Sequence, residues 1–279
     1  NCAGLYADRV AGMIGDTSFK IGARKGEYIL LDRESGGFAS RTLFAAPSAA
    51  GKGVLVSPTV DGNLLLGPTS SETEDRGDNS NTREGLDFVL ERARALCPGI
   101  PSHTVITSFC GVRAYSDRHD FIIEQSRADK RFLNVAGIES PGLTSAPAIA
   151  AYAAETVVGE LGNVKRRFGF EGTRKPFSFF KDMGVGEKNE LIRREPDFGK
   201  IICRCEEVTL GEILFECGRN PVPKTVDGIK RRVRAGMGRC QGGFCQPSVV
   251  DVLRERLGVP YEEITKSGGG SYMFTGRTK

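Results

Sequence analysis

The sequence predicts an α+β fold, a first domain built on a substantial antiparallel sheet followed by a small all-helical module. Three observations carry this expectation. Short runs rich in β-branched and aliphatic residues, separated by turn signals, recur through the first 136 residues. One strongly periodic helix interrupts them. From Thr209 onward only capped helical segments follow, and they frame four cysteines in two tight pairs. At 279 residues, 39% hydrophobic and 27% charged, the chain has the size and composition of about two soluble globular domains.

In the first domain, Lys25–Asp32, Val54–Pro58 and Asn63–Gly67 read as strands, the last two joined by Asp61-Gly62 as a two-residue hairpin. Thr82 then caps a helix whose Leu86, Val89, Leu90, Ala93 and Leu96 share one face, and Pro98-Gly99 stops it. Val105–Tyr115, Phe121–Glu124 and Phe132–Ala136 add further strands. The last strand ends at Gly137, and a turn rich in Gly, Ser and Pro leads to a helix starting near Thr144. Such a start leaves free N–H groups and a positive dipole end facing whatever lies above the strand. That suits an anionic ligand or a flavin ring; a plain strand-to-helix turn is the alternative.

Residues 1–161 thus form one domain, and 162–199 read as a connection. Lys165-Arg-Arg167, Arg174-Lys-Pro176 and Arg193-Arg194, with several Gly and Pro, interrupt any long periodicity. Phe168, Phe170, Phe177, Phe179 and Phe180 call for burial, so the segment is expected to be an arm packed across the first domain. Residues 200–265 form the helical module. Thr209-Leu-Gly-Glu212 is a capping box opening a helix closed by Gly218; Thr225 caps a segment running to Gly236. Pro247 starts a helix with Val249, Val250, Leu253 and Leu257 on one face, stopped by Gly258. The tail, 266–279, contains Ser267-Gly-Gly-Gly-Ser271 and is expected to be mobile.

The module carries the chemistry. Cys203-Arg-Cys205 and Cys240-Gln-Gly-Gly-Phe-Cys245 hold four of the eight cysteines. A chain of this length needs no disulfide staples, and the one-residue gap between Cys203 and Cys205 is tighter than the usual C-x(2–4)-C of zinc sites. An iron-sulfur cluster is the favoured reading, with structural zinc as its rival. Gly236, Gly238, Gly242 and Gly243 would let backbone N–H groups approach the cluster sulfurs. Arg204, Lys230, Arg231, Arg232, Arg234 and Arg239 could offset its negative charge, or form a solvated basic face. Cys217 lies outside the motif and reads as a free, partly buried thiol.

Residues 201–257 resemble the bacterioferritin-associated-ferredoxin-type [2Fe-2S] domain, which implies Cys203, Cys205, Cys240 and Cys245 as the cluster ligands. Upstream, Asn1-Cys-Ala-Gly-Leu-Tyr-Ala-Asp8, Arg24-Lys-Gly-Glu-Tyr28, Pro58 to Pro68, Gly111-Val-Arg113 and Gly137-Ile-Glu-Ser-Pro-Gly-Leu-Thr144 follow one another as in the D-amino-acid-oxidase-like FAD oxidoreductases. Within them the chain is most similar to the glycerol-3-phosphate and L-2-hydroxyglutarate dehydrogenase branch. The combination with the cysteine module is close to that of anaerobic glycerol-3-phosphate dehydrogenase large subunits. The resemblance implies FAD near Gly4, Gly137, Ile138, Ser140, Gly142, Leu143 and Thr144. It also implies that Arg113 clamps a substrate carboxylate or phosphate, with Lys25 and Tyr28 lining the same cavity or decorating an ordinary strand.

Two departures from the family matter. The Gly-x-Gly-x-x-Gly element that cradles the FAD pyrophosphate is not found, and the chain begins in what reads as mid-domain, so a fragment that binds FAD poorly by itself is expected. Gly142 also stands where glycerol-phosphate enzymes commonly carry lysine, which weakens a phosphorylated substrate and resembles the 2-hydroxyacid branch instead. His103 and His119 are the only histidines, and neither is singled out as the base. The resemblance implies part of a flavin-dependent, glycerol-3-phosphate dehydrogenase-like enzyme passing electrons from a small hydroxy substrate through FAD and a [2Fe-2S] cluster to a redox partner protein or subunit, with a 2-hydroxyacid or amino-acid dehydrogenase of the same family as the alternative. The rival is a non-enzymatic electron-transfer or docking piece. A formal net charge of +4 is too small to argue for nucleic acid. The cytoplasm is the expected location, with peripheral membrane association possible through a partner.

Overall fold

A computed structural model describes residues 1–46, 53–165, 167–173 and 177–276. The chain divides into two compact units, Asn1–Glu171 and Gly172–Lys279. The basic runs expected around residues 165–167 and 174–176 fall partly outside the described residues, at positions 166 and 174–176.

The first unit opens with a short 3-10 turn, Gly4–Tyr6, and α1 (Ala7–Gly12). Its frame is β1 (Ile21–Leu31), an alternating strand in which every odd-numbered residue is buried. β2 (Leu55–Pro58) and β3 (Leu64–Gly67) form a hairpin, and β4 (Ser71–Thr73) follows. β3 and β4 pair along one edge of β1, and β5 (Val105–Ser116) pairs along the whole of the other, all antiparallel. The hairpin has a longer loop than the expected two-residue one. Thr59 N–H donates to the Asn63 carbonyl, and Gly62, with φ +84°, closes the turn.

The odd-numbered face of β1 packs on α2 (Arg83–Leu96), where Val89 and Ala93 meet Ile29, Leu31, Val56, Leu64 and Leu66. Each such side chain larger than alanine contributes about 1.5–3 kcal/mol by leaving water. Thr82 caps α2 by accepting from Gly85 N–H, as the sequence predicts, and Thr82 N–H itself donates to buried Glu27. A second hairpin, β6 (Ile122–Gln125) and β7 (Leu133–Ala136), packs with α1 through Ile122, Ala136, Ala7 and Ala11. α3 (Gly142–Leu161) begins two residues before Thr144, because Ser145 N–H already reaches the Pro141 carbonyl. Among the described residues no helix is long and apolar enough to cross a membrane.

The second unit contains α4 (Val185–Arg194), a short ladder of β8 (Ile201–Cys203) with β9 (Val208–Thr209), and α5 (Leu210–Cys217), α6 (Val226–Val233) and α7 (Gln246–Leu257). The all-helical expectation is therefore amended by one two-stranded ladder, which folds back the segment carrying Cys203. The caps match the local signals. Thr209 and Glu212 form the capping box of α5, Thr225 accepts from Gly228 N–H, and Gly258 ends α7 in the left-handed region. α6 stops at Val233, three residues short of the expected Gly236, because Arg234 turns left-handed with φ +67°.

The aromatic arm is also corrected. Phe177 packs against Phe215, Phe180 packs on Phe198, and Phe180 N–H donates to buried Glu212, so these residues join the core of the second unit. Phe168 and Phe170 are exposed. The described part of the tail makes defined contacts. Lys266 N–H donates to the Ser271 carbonyl and Met273 N–H to that of Ile264, while Phe274 packs on Tyr261. Apolar Met273 and Phe274 anchor a loop whose glycines supply the turn.

Candidate functional sites

In the first unit a cavity of about 690 Å³ opens where β7 turns into α3. Gly137 takes the chain out of β7 with φ +61°, and a Cβ there would stand 2.6 Å from Ser116 Cβ, so only glycine fits. The turn then presents Ile138, Ser140, Gly142, Leu143 and Thr144 to the cavity, together with Arg24 and Arg113 from the sheet. No side chain caps the start of α3, where Gly142 N–H turns back to the Glu139 carbonyl, and the positive dipole end borders this space.

Register explains which strand residues arrive. Arg24 lies opposite Arg113, and Tyr28 opposite Phe109, so all four project from one face of the sheet, the even face of β1. Arg24 is held over the Tyr115 ring at 4.6 Å and ion-paired to Glu139 at 3.5 Å. The Arg113 side chain is exposed and makes no ion pair or hydrogen bond among the described residues. It is the cavity cation open to an anionic ligand. Sequence reasoning misses Arg24 and Glu139 as site residues, although both stand inside motifs that carry the family resemblance.

Other expected site residues lie elsewhere. Lys25 is on the odd face, buried, with Nζ 2.8 Å from Asp78 and 3.1 Å from Ser80 Oγ. The Asp78 hydrogen bond raises its pKa and leaves it a structural ion pair. Lys25 and Tyr28 are three residues apart and so occupy opposite faces of one strand, which corrects the expectation of a shared cavity. Tyr28 stacks on Phe109 at 5.1 Å, and four residues along the strand, about 13 Å, separate it from Arg24. Gly4 sits in the N-terminal turn with φ +55°, outside the cavity wall. Asp8, from the first motif, receives both Nη atoms of Arg76 at 2.9 and 2.8 Å, and this bidentate bond lowers its pKa. His103 and His119 are exposed and line no part of the cavity.

In the second unit the four cysteines converge, and tertiary structure pairs them across the motif. Cys205 Sγ and Cys240 Sγ are 3.6 Å apart, and Cys203 pairs with Cys245. Cys203 and Cys245 are buried, whereas Cys205 and Cys240 are partly exposed. The Cys245 thiol and the Gly236 and Glu206 amides donate to Cys203 and hold it down at about 6. Burial opposes ionisation of Cys240, but the Phe244 and Gly242 amides and the Cys205 thiol bring it below the ordinary thiol value. A Cβ on Gly238 would stand 2.2 Å from Cys205 Cβ, so glycine is required where this loop crosses. Cys217 is buried, which pushes its thiol up.

This donor set fits a binuclear cluster. Two thiolates on one tetrahedral metal with bonds of about 2.3 Å lie about 3.7 Å apart, matching the 3.6 Å Cys205–Cys240 separation. Backbone amides already aim at the sulfurs.

Residues 1–156 match the family described as FAD dependent oxidoreductase. The chain belongs to that family. Residues 201–255 match the BFD-like [2Fe-2S] binding domain. Across all 279 residues the chain is 48% identical to a glycerol 3-phosphate dehydrogenase of Caloramator mitchellensis, spanning 58% of that protein's length. Over 91% of its length it is 22% identical to a protein of Escherichia coli K12 named as one subunit of anaerobic glycerol-3-phosphate dehydrogenase, spanning 51% of it. Among solved structures it is similar to the FAD-bound, dithionite-reduced L-alpha-glycerophosphate oxidase of Mycoplasma pneumoniae. There the TM-score is 0.56 and the identity 28%, over 63% of this chain and 46% of that one. Within the FAD dependent oxidoreductase family, the α+β unit with its antiparallel sheet is thus the expected architecture, and the cysteine module is joined to it in one chain.

Proposed function

We propose that this chain carries the substrate side of a flavin-dependent, glycerol-3-phosphate dehydrogenase-like enzyme. It would pass electrons from a small hydroxy substrate through FAD and a [2Fe-2S] cluster to a redox partner. The observation that carries the reading is the union in one chain of an anion-receptive cavity and four paired cysteines. When bound, the two cofactors supply hydride acceptance and one-electron relay.

The chain's own residues have distinct parts in this reading. Arg113 binds the substrate's phosphate or carboxylate through its guanidinium fork. Gly137 holds the turn open, and the uncapped start of α3, Gly142 to Thr144, with Ile138 and Ser140, would hold the flavin and favour the negative charge it gains on reduction. Gly4 belongs to the neighbouring N-terminal turn. Cys203, Cys205, Cys240 and Cys245 hold the cluster. The partly exposed Cys205 and Cys240 edge is where a partner approaches. The name of the Escherichia coli relative, one subunit of a dehydrogenase, supports a partner protein. In this reading the enzyme works in the cytoplasm.

A 2-hydroxyacid or amino-acid substrate is the second reading. It is favoured by Gly142 in place of a phosphate-binding lysine and by Glu139 countering the Arg24 charge. The deciding experiment adds glycerol 3-phosphate, 2-hydroxyacids or secondary amino acids to full-length protein without oxygen, following flavin bleaching and cluster reduction. Bleaching by glycerol 3-phosphate supports the first reading. Bleaching only by a hydroxyacid or amino acid supports the second, and cluster absorption without flavin would replace both with an electron-transfer module.

A further inference from the structure

Six cations surround the cysteine motif in sequence, and the structure commits several of them to other partners. Arg231 reaches Asp227 at 3.9 Å, Arg232 reaches Glu216 at 3.4 Å, and Arg234 reaches Glu206 at 2.8 Å. Lys230 is different. It follows buried Ile229 on α6 and lies one turn beyond buried Val226, so its stem runs along the core side of the helix. It lines a small space of about 20 Å³ with Asp227, Gly236, Gln241, Gly242, Cys245 and Gln246, enough for about one water molecule. Lys266 borders the same space, but its ammonium is bonded to Asp227 at 2.7 Å. Lys230 has no hydrogen bond or ion pair among the described residues.

A partly buried ammonium draws on whatever negative charge stands near; Asp227 lines the same space but is shared with Lys266 and Arg231. The other neighbour is Cys245, a cluster ligand in the proposed function, on which this inference rests. Four thiolates around two ferric ions and two sulfides are net negative, and one added electron makes them more so. A fixed positive charge beside Cys245 therefore stabilises the reduced state more than the oxidised one.

We propose that Lys230 is a positioning residue for electron transfer, its charge setting the reduction potential of the cluster from the Cys245 side. It touches no substrate and acts through Cys245.

The test measures the midpoint potential of the cluster in full-length protein by anaerobic titration followed by electron paramagnetic resonance. Lys230→Met and Lys230→Gln are expected to shift the reduction equilibrium about tenfold toward the oxidised form, a fall of about 59 mV for one electron. Lys230→Arg should restore most of the shift. Arg231→Met, on the neighbouring solvent-facing position, should change the potential much less. Loaded Met and Gln variants with wild-type potentials would overturn the proposal, as would shifts no larger than that of Arg231→Met. Neutral variants that lose the cluster while Lys230→Arg keeps it would also overturn it, assigning the charge to assembly. Full-length wild-type protein without iron and acid-labile sulfide would instead overturn the cluster reading beneath it.

Discussion

Replacing Gly238 by alanine tests the cysteine site most directly. The new Cβ would stand 2.2 Å from Cys205 Cβ, 3.4 Å from Cys205 Cα and 3.3 Å from a Glu206 carboxylate oxygen. Carbon atoms in contact ordinarily lie about 3.5–4.0 Å apart, so the overlap exceeds about 1 Å. Cys205 cannot rotate away, because a Cβ position is set by the backbone and not by χ1. The backbone at Cys205 must therefore move by about 1 Å, whereas metal–ligand distances tolerate about 0.2 Å. The 3.6 Å Cys205–Cys240 pair opens, at a packing cost of about 1–3 kcal/mol. Iron and acid-labile sulfide per chain, visible absorption and thermal unfolding of the full-length protein measure the result. The expected outcome is loss of the cluster together with a lower Tm. A Gly238→Ala protein with full iron and sulfide and an unchanged Tm would refute the reasoning.

Other consequences can be checked beside it. Gly186→Ala, in α4 with nothing within 4 Å of the added Cβ, should leave the cluster intact and raise stability by about 0.5–1 kcal/mol in chemical denaturation. Gly137→Ala combines a left-handed backbone with a 2.6 Å approach to Ser116, and should destabilise the first unit by about 2–4 kcal/mol, read as a lower denaturation midpoint. Buried Asp16 is lowered from 3.8 to about 2, chiefly by the Ser126 hydroxyl at 2.6 Å, with Ser18 and Asn134 assisting. Because the folded-state value is depressed, its contribution of about 1–2 kcal/mol is complete above pH 3.8 and fades as pH falls toward 2. The stability gap between wild type and Asp16→Asn should therefore narrow over that window, and a gap independent of pH would count against it. Arg113→Gln in the full-length enzyme should raise KM for an anionic substrate about 10- to 100-fold while Tm stays constant.

Local chemistry was the part legible from residues alone. Thr82, Thr209 and Thr225 cap their helices because a hydroxyl needs only the N–H three residues on, and that relation is written in the chain. The long strands and the α2 face were legible for the same reason, through periods of two and 3.6. The side of Lys25 was also legible in principle, since residues three apart on a strand face opposite ways. Motif proximity outweighed that parity. The aromatic arm was not legible, because Phe177 and Phe180 ask for burial without naming a surface, and Phe215, Phe198 and Glu212 supply it from distant sequence.

The cysteines divide along the same line. Their number, spacing and surrounding glycines by themselves pointed to a thiolate-bound metal site, with a cluster favoured over zinc, because ligand type and close backbone approach are properties of short sequence. Only the tertiary structure decided that Cys205 meets Cys240 and Cys203 meets Cys245, that one pair is buried and the other partly exposed, and that Lys230 lines a space with Cys245. Those are contacts between distant parts of the chain, set by how α6, α7 and the β8–β9 ladder pack. No local pattern encodes which of several equivalent thiols or cations the packing will bring together.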